Sequence, residues 1–341
     1  MKKITLLFLA ALTMIVLAAC GGEEKKETST QNGEDSANKL SVYTTVYPLK
    51  YFTERIGGEA VNVQTIYPAG ANEHSFEPTQ KDMMALADSD VFFYIGLGLE
   101  GFVENAKKTL ANENVQLVPT ANHLTEAQLN ISTGHSHAEA AEESAHHHDH
   151  DDEVEATEEH EDHDHAGHEH DAHVWLSPVL SKELALSIKN TLAEQLPAQA
   201  DTFETNYNEL VADLDALHAD FEALAKETTK DTFFVSHAAF GYIAGHYGFT
   251  QVPVAGLNSQ SEPSQKELTS IVDLARARDI QYIFFEQNVN SKLAEVIQKE
   301  VGAKSLILHN LSVLTAEDEK NNETYFTLME KNIEALRTAL Q

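Results

Sequence analysis

Four side chains of this sequence combine metal-ligating chemistry with positions from which it can act. His74 lies in the loop Pro68-Ala-Gly-Ala-Asn-Glu-His74-Ser-Phe-Glu77-Pro78, after the β-type run Val61–Tyr67. His173 lies in Asp171-Ala-His173-Val-Trp-Leu-Ser-Pro178. His237 directly follows TFFVS (Thr232–Ser236), and Glu286 directly follows YIFF (Tyr282–Phe285). Three imidazoles and a carboxylate form an N3O set that suits tetrahedral Zn2+, with Zn–N distances of about 2.0–2.1 Å. A single histidine after a strand is more often a capping or surface residue; four such residues, two from each half of the chain, read as a site. Glu286 ends an apolar strand, where an unpaired charge is costly, and a metal ion or a salt bridge would each explain it. Glu77 reads as a helix N-terminal carboxylate, as a support behind a ligand, or as an alternative ligand. His123, His218, His246 and His309 lack this setting and read as surface or core residues.

A second kind of metal chemistry sits between the two halves. Eleven histidines, His135, His137, His146, His147, His148, His150, His160, His163, His165, His168 and His170, alternate with Asp and Glu, and no Lys or Arg occurs from Thr109 to Ser181. Imidazole is the commonest ligand for zinc and its neighbours, and His-rich tracts bind metal by composition. The tract has too few apolar groups to offset the entropy of ordering it. It is expected to be a disordered loop over 135–171 that collects zinc at low affinity without fixed geometry.

Composition narrows the function further. The chain has 341 residues, enough for two cores, and a formal net charge of −32. That charge repels phosphate backbones, so no nucleic acid partner is expected, and it suits cations. Lys2 and Lys3 followed by the apolar run Ile4–Leu17 form a signal segment too short for a comfortable membrane span. It ends in Leu17-Ala-Ala-Cys20, which resembles a bacterial lipobox with Cys20 as the lipidated first residue of the mature protein. Cys20 is the only cysteine, so neither an intramolecular disulfide nor a thiolate zinc site can form.

The elements that must hold these residues alternate between strand and helix. Strand patterns at 40–45, 61–67, 91–95 and 115–118 alternate with helical patterns opened by Pro48, by Pro78 and at Gly101. After the His-rich tract come two long helices, 180–196 and 203–226, the second roughly 35 Å long at 1.5 Å per residue. Strands at 232–236, 251–254, 282–285 and 306–308 then alternate with helices at 238–247, 264–278 and 292–301, before a closing helix at 325–340. This order predicts an α/β protein with two doubly wound parallel-sheet lobes joined by a long helix. Ligands in such folds lie beyond the carboxyl ends of the strands, where His74, His237 and Glu286 fall. The expected division is a signal peptide at 1–19, a lipidated flexible tether at 20–39, an N-terminal lobe at 40–199, a linking helix at 200–228 and a C-terminal lobe at 229–341. No sequence repeat relates the lobes.

Gly96-Leu-Gly98-Leu-Glu-Gly101 fits the dinucleotide pattern G-x-G-x-x-G between a strand and a helix. The acidic residue expected about 20 positions on is missing, so a glycine turn near the cleft is the better account.

Taken together, Gly70-Ala-Asn-Glu-His74-Ser-Phe-Glu-Pro78, Gly96-Leu-Gly-Leu-Glu100, the acidic His-rich tract, His173-Val-Trp-Leu-Ser-Pro178, Ser236-His237-Ala-Ala-Phe-Gly-Tyr242 and Phe285-Glu286 resemble the metal-specific solute-binding proteins of bacterial ABC transporters, in their zinc-uptake branch. The resemblance runs from the lipobox to the C-terminus. It implies two lobes joined by a rigid long helix, with one metal in the inter-lobe cleft, His74, His173 and His237 as ligands and Glu286 in the place of the last carboxylate. Manganese members usually have a carboxylate at the third position, so His237 favours zinc. Water completes the sphere in some zinc members, which leaves the fourth ligand open between Glu286, Glu77 and water.

The expected protein is a monomeric, lipid-anchored zinc receptor at a Gram-positive cell surface that delivers Zn2+ to a permease and its ATPase. It is not an enzyme. The alternatives are a manganese receptor of the same family, an extracellular zinc hydrolase and an adhesin. A hydrolase would need an open water position and a general base, and the sequence contains no HExxH.

Overall fold

Val91–Tyr94 has all four side chains buried, as expected of a strand covered on both faces of a parallel sheet. Around it the first half folds in the order β1 (Leu40–Thr44), α1 (Tyr47–Gly57), β2 (Val61–Thr65), α2 (Gln80–Ala87), β3 (Val91–Tyr94), α3 (Val103–Thr109), β4 (Gln116–Pro119) and α4 (Glu126–Leu129). Two helices follow, α5 (Pro178–Gln195) and α6 (Ala200–Glu227). The second half continues as β5 (Thr232–His237), α7 (Gly241–Tyr247), β6 (Thr250–Ala255), α8 (Gln265–Ala277), β7 (Tyr282–Phe285), α9 (Lys292–Val301), β8 (Lys304–Ile307), α10 (Ala316–Lys320) and α11 (Tyr325–Leu340). The computed structural model describes residues 39–134, 170–259, 263–287 and 291–341. Cys20, the tether and the tract from His135 to His168 lie outside them.

The two sheets share one topology. Their strand orders are β2-β1-β3-β4 and β6-β5-β7-β8, and every pairing is parallel. The connection reverses direction between β1 and β3 in one sheet and between β5 and β7 in the other. Such switch points open the crevice in which ligands bind. The expected fold of two parallel-sheet α/β lobes and a long helix is therefore the observed one.

The long helix α6 has 28 residues, roughly 42 Å at 1.5 Å per residue. Its buried residues Leu210, Leu214, Leu217, Phe221 and Leu224 fall at alternating spacings of four and three, which keeps one stripe facing inward. That stripe meets α5 and α1 in the first half and α7 and α11 in the second. One apolar cluster consequently runs through both halves, from Val42 and Phe92 to Phe233 and Leu336. A smaller cluster around Phe234, Val252, Ile271 and Ile297 fills the outer layer of the second half.

Element limits differ from expectation where capping chemistry decides. The helix expected from Pro78 starts at Gln80, because Thr79 accepts from the Asp82 N–H and Asp82 answers onto the Thr79 backbone, a capping box. The strand expected at 306–308 is Lys304–Ile307. It is the outermost strand of its sheet, where polar residues such as Lys304 and Ser305 are tolerated. His237 is the last residue of β5, in register with Ala255 of β6. The short helices α4 and α10, each opened by a threonine capping box, were not expected.

Candidate metal centre

Three imidazoles meet where the two halves face each other. The Nε2 atoms of His74 and His173 are 3.2 Å apart, and those of His237 and His173 are 3.3 Å apart. One ring nitrogen from each of the three lies within 4.8 Å of the others, and this is the metal-competent group found among the described residues. Tetrahedral ligands at Zn–N distances of about 2.0–2.1 Å would stand about 3.3–3.4 Å apart, so the observed spacing matches a tetrahedron edge. His173 and His237 are fully buried and His74 is half-buried.

Each ring is delivered by a different local device. His237 ends β5 beside the switch point. His173 is held by Asp171, whose Oδ1 accepts from the His173 backbone N–H at 2.9 Å and lies 2.7 Å from Nδ1. His74 donates its backbone N–H to Asn72 Oδ1 at 3.0 Å. An Asx residue two positions ahead thus shapes the turn before both loop histidines.

Carboxylates set the tautomers. Glu286 Oε1 lies 2.6 Å from His237 Nδ1 and also accepts from Ser236 Oγ at 2.9 Å. A carboxylate only accepts, so Nδ1 of His173 and of His237 carries the proton and Nε2 presents its lone pair. Burial alone would lower the His237 pKa, yet Glu286 outweighs it and holds the ring above the usual histidine value. Burial pushes Glu286 and Asp171 upward, but the facing histidine rings and serine hydroxyls hold both below the usual carboxylate range. His74 has no such support: burial, with His173 and His237 nearby, lowers its pKa to about 2.

Glu286 therefore stands on the far side of the His237 ring rather than beside the three Nε2 atoms. Both its oxygens are engaged, Oε2 accepting from Asn310 Nδ2 at 2.7 Å. The strand end places Glu286 at the site, where the His237 ring takes Oε1. Glu77 is exposed and outside the three-histidine group. Sequence reasoning gave no role to Glu73, which is buried, with Oε1 4.0 Å from His74 Nε2. Its oxygens accept from Asn310 Nδ2 at 3.1 Å and Ser312 Oγ at 3.0 Å, and burial raises its pKa. The acid next to His74 was the available signal.

The other histidines lie elsewhere. His309 is buried against Asp318 at 3.2 Å, His218 lies 3.0 Å from the Tyr247 hydroxyl, and His123 faces Glu183. His246 on α7 is outside the three-histidine group. His170, the last residue of the tract and the only one of its eleven histidines among the described residues, lines an opening onto His74 and His173 together with Leu97, Gly98 and Asn258. The glycine turn borders this opening. Gly96, Leu97 and Gly98 all have positive φ, which glycine adopts freely. Glu100 closes the turn, accepting from the Ile95 and Gly96 N–H groups at 2.8 and 3.0 Å. Amides that could face a dinucleotide phosphate already hold an internal anion.

The family model described as the zinc-uptake complex component A, periplasmic, matches residues 42–339. The chain belongs to this family. Within the zinc-uptake component A family it is 34% identical over 339 residues to the high-affinity zinc uptake system protein ZnuA of Bacillus subtilis, covering 99% of this chain and 98% of that protein. It is 35% identical over 302 residues to the zinc-binding protein AdcA of Streptococcus pyogenes, covering 88% of this chain but 56% of AdcA. The chain thus spans little more than half the length of that streptococcal relative. Among solved structures it is similar to the Zn(II)-bound ZnuA-like domain of Streptococcus pneumoniae AdcA (TM-score 0.68, 30% identity, 89% of this chain and 99% of that one). It is also similar to the laminin-binding protein Lmb of Streptococcus agalactiae, described as an adhesin with metal-transporting activity (TM-score 0.71, 26% identity, 89% and 100% coverage).

Proposed function

We propose that this chain is an extracytoplasmic zinc receptor that binds one Zn2+ in the inter-lobe cleft and delivers it to an ABC permease and its ATPase. The observation that carries this is the convergence of three imidazoles, with His173 Nε2 3.2 and 3.3 Å from the Nε2 atoms of His74 and His237 and all three ring nitrogens within 4.8 Å. Bare lone pairs at that spacing repel one another unless a cation lies between them. His74, His173 and His237 are the nitrogen ligands in this reading. Glu73 supplies the oxygen, because Glu286 and Asp171 stand behind rings while Glu73 Oε1 is 4.0 Å from His74 Nε2. Three imidazoles suit a borderline ion better than manganese, which prefers oxygen. The cargo is Zn2+, and the relatives named for zinc support that choice.

The chain's residues do the following. Asp171 and Glu286 hold two rings with Nε2 outward, so little reorganisation accompanies binding. Residues 40–199 and 229–341 act as the two lobes, and 200–228 as the rigid strut between them. The tract from His135 to His170 gathers zinc beside the opening that His170 lines. Cys20 carries lipid and 20–39 is the tether, so the receptor works as a monomer on the outer face of the cell membrane, which the lipoprotein names of the pneumococcal relatives support.

Metal titration of the protein lacking His135–His170, with Zn2+ and Mn2+ in competition, tests this. One tight zinc site is expected to survive the deletion and to disappear in His237→Ala. Loss of all tight binding with the tract, or tighter binding of manganese, would overturn the reading.

A further inference from the structure

Asn310 lies just past β8, fully buried, and every polar atom it has is in use. Its Nδ2 donates to Glu286 Oε2 at 2.7 Å and to Glu73 Oε1 at 3.1 Å. One of these carboxylates stands behind His237 in the second half, and the other precedes His74 in the first. Its Oδ1 accepts from Gln287 Nε2 at 2.9 Å and from the Ser312 N–H at 3.0 Å. The amide orientation is fixed by chemistry, since a flipped Asn310 would turn its oxygen towards two carboxylates. The backbone carbonyl accepts from Trp175 Nε1 at 2.7 Å, and the Trp175 ring lies 5.3 Å from that of His173. One residue therefore touches a group beside each of the three histidine rings.

We propose that Asn310 is a positioning residue for zinc: its side-chain amide clamps the carboxylates of the two halves together and so fixes the separation of His74 from His237. The proposal rests on those histidines being the zinc ligands. Two buried carboxylates meeting across a cleft repel each other. A neutral group with two N–H donors draws both in without adding charge, which neither a lysine nor a water molecule would do with the same fixed angle. The groups that support a metal ligand from behind typically contribute 10–100-fold in affinity, and here one such group serves both halves.

Asn310→Asp is the decisive variant. It keeps the volume and the Oδ1 acceptor but replaces the two donors with an oxygen facing Glu73 and Glu286. Zinc affinity, measured by chelator competition on metal-free protein whose folding is first checked by circular dichroism, is expected to fall about 10–100-fold, with faster zinc release. Unchanged affinity alongside a lowered metal-free melting temperature would make Asn310 merely structural and overturn the proposal. Retention of tight binding by His237→Ala would instead overturn the ligand reading beneath it. A measurement on the unaltered protein covers the case of a variant that does not fold. Both Nδ2 protons of Asn310 should be protected from exchange and shift in 15N-resolved NMR spectra when zinc is added; free exchange of either proton, or shifts indifferent to zinc, would also refute the clamp.

Discussion

Asp171 Oδ1 meets His173 twice, 2.9 Å from the backbone N–H and 2.7 Å from Nδ1. One carboxylate thereby fixes the turn, the ring orientation and the tautomer of a metal-facing histidine. Its other oxygen accepts from Ser132 Oγ at 2.5 Å, which ties this support to the last described residues before the His-rich tract. Replacing Asp171 with Ala should leave the Nε2 atoms of His74 and His237 in place but free the third ring. Zinc affinity is expected to drop about 10–100-fold, read by competition against a chromophoric chelator. Wild-type affinity in this variant would show that the ring is held by packing against Trp175 alone.

Glu286 and His237 make different predictions although they touch. In the proposed reading, a carboxylate behind the ring tunes and orients the ligand, whereas the ring is the ligand. Glu286→Gln should therefore weaken zinc binding by about 10–100-fold while one tight site persists, and His237→Ala should abolish tight binding. Calorimetric titration of the two variants side by side decides this, and equal losses would restore Glu286 as a direct ligand.

The contrast between Glu286 and Asn310 shows how far the sequence could be read. The strands β3, β5 and β7 are short apolar runs, and ligands sit past strand ends, so His237 and Glu286 could be found from local pattern alone. His74 and His173 followed from their loops, and the Asp171-x-His173 spacing carried the Asx-turn signal that explains its hold. Asn310 carried no local signal, because its partner Glu73 lies 237 residues away and nothing in the intervening chain encodes that meeting. The contact of Glu286 with the His237 ring was hidden for a related reason. A strand end specifies where a side chain emerges, whereas which neighbour takes its oxygens depends on the register of β5 with β7. The shared strand order of the two sheets was likewise hidden, since equal topology needs only equal hydrophobic patterning.

Glu100 gives a pH signature independent of metal. Burial raises its pKa to about 6 from the usual 4.5, against the pull of the Ile95 and Gly96 N–H groups and the Thr45 hydroxyl. The folded protein then binds the proton more tightly than the unfolded chain, so this group's contribution is greatest below pH 4.5 and declines as pH rises to about 6. The change is on the order of 2 kcal/mol at about 1.4 kcal/mol per pKa unit. Melting of the metal-free protein across this window should show that decline, and Glu100→Gln should lack it whatever its overall stability. Parallel pH profiles for the two proteins would refute the assignment.

Gly245 offers the last test, because it couples backbone contact to the site. On α7, a Cβ at this position would collide with the carbonyl oxygen of Ile131, just ahead of the segment where the Thr133 N–H donates to the Gly241 carbonyl at 3.2 Å. Gln251 fastens the same segment, its Nε2 donating to the Gly134 carbonyl at 3.1 Å. A methyl group here cannot be absorbed by a flexible side chain, since both surfaces are backbone. Gly245→Ala should cost about 1–3 kcal/mol of stability, the usual range for overpacking. The displaced segment also carries Ser132, which holds Asp171 and through it His173, so the folded variant should bind zinc more weakly as well. Denaturant unfolding and zinc titration on the same preparation separate the two effects. A destabilised variant with full zinc affinity would mean that Asp171 keeps His173 in place without Ser132.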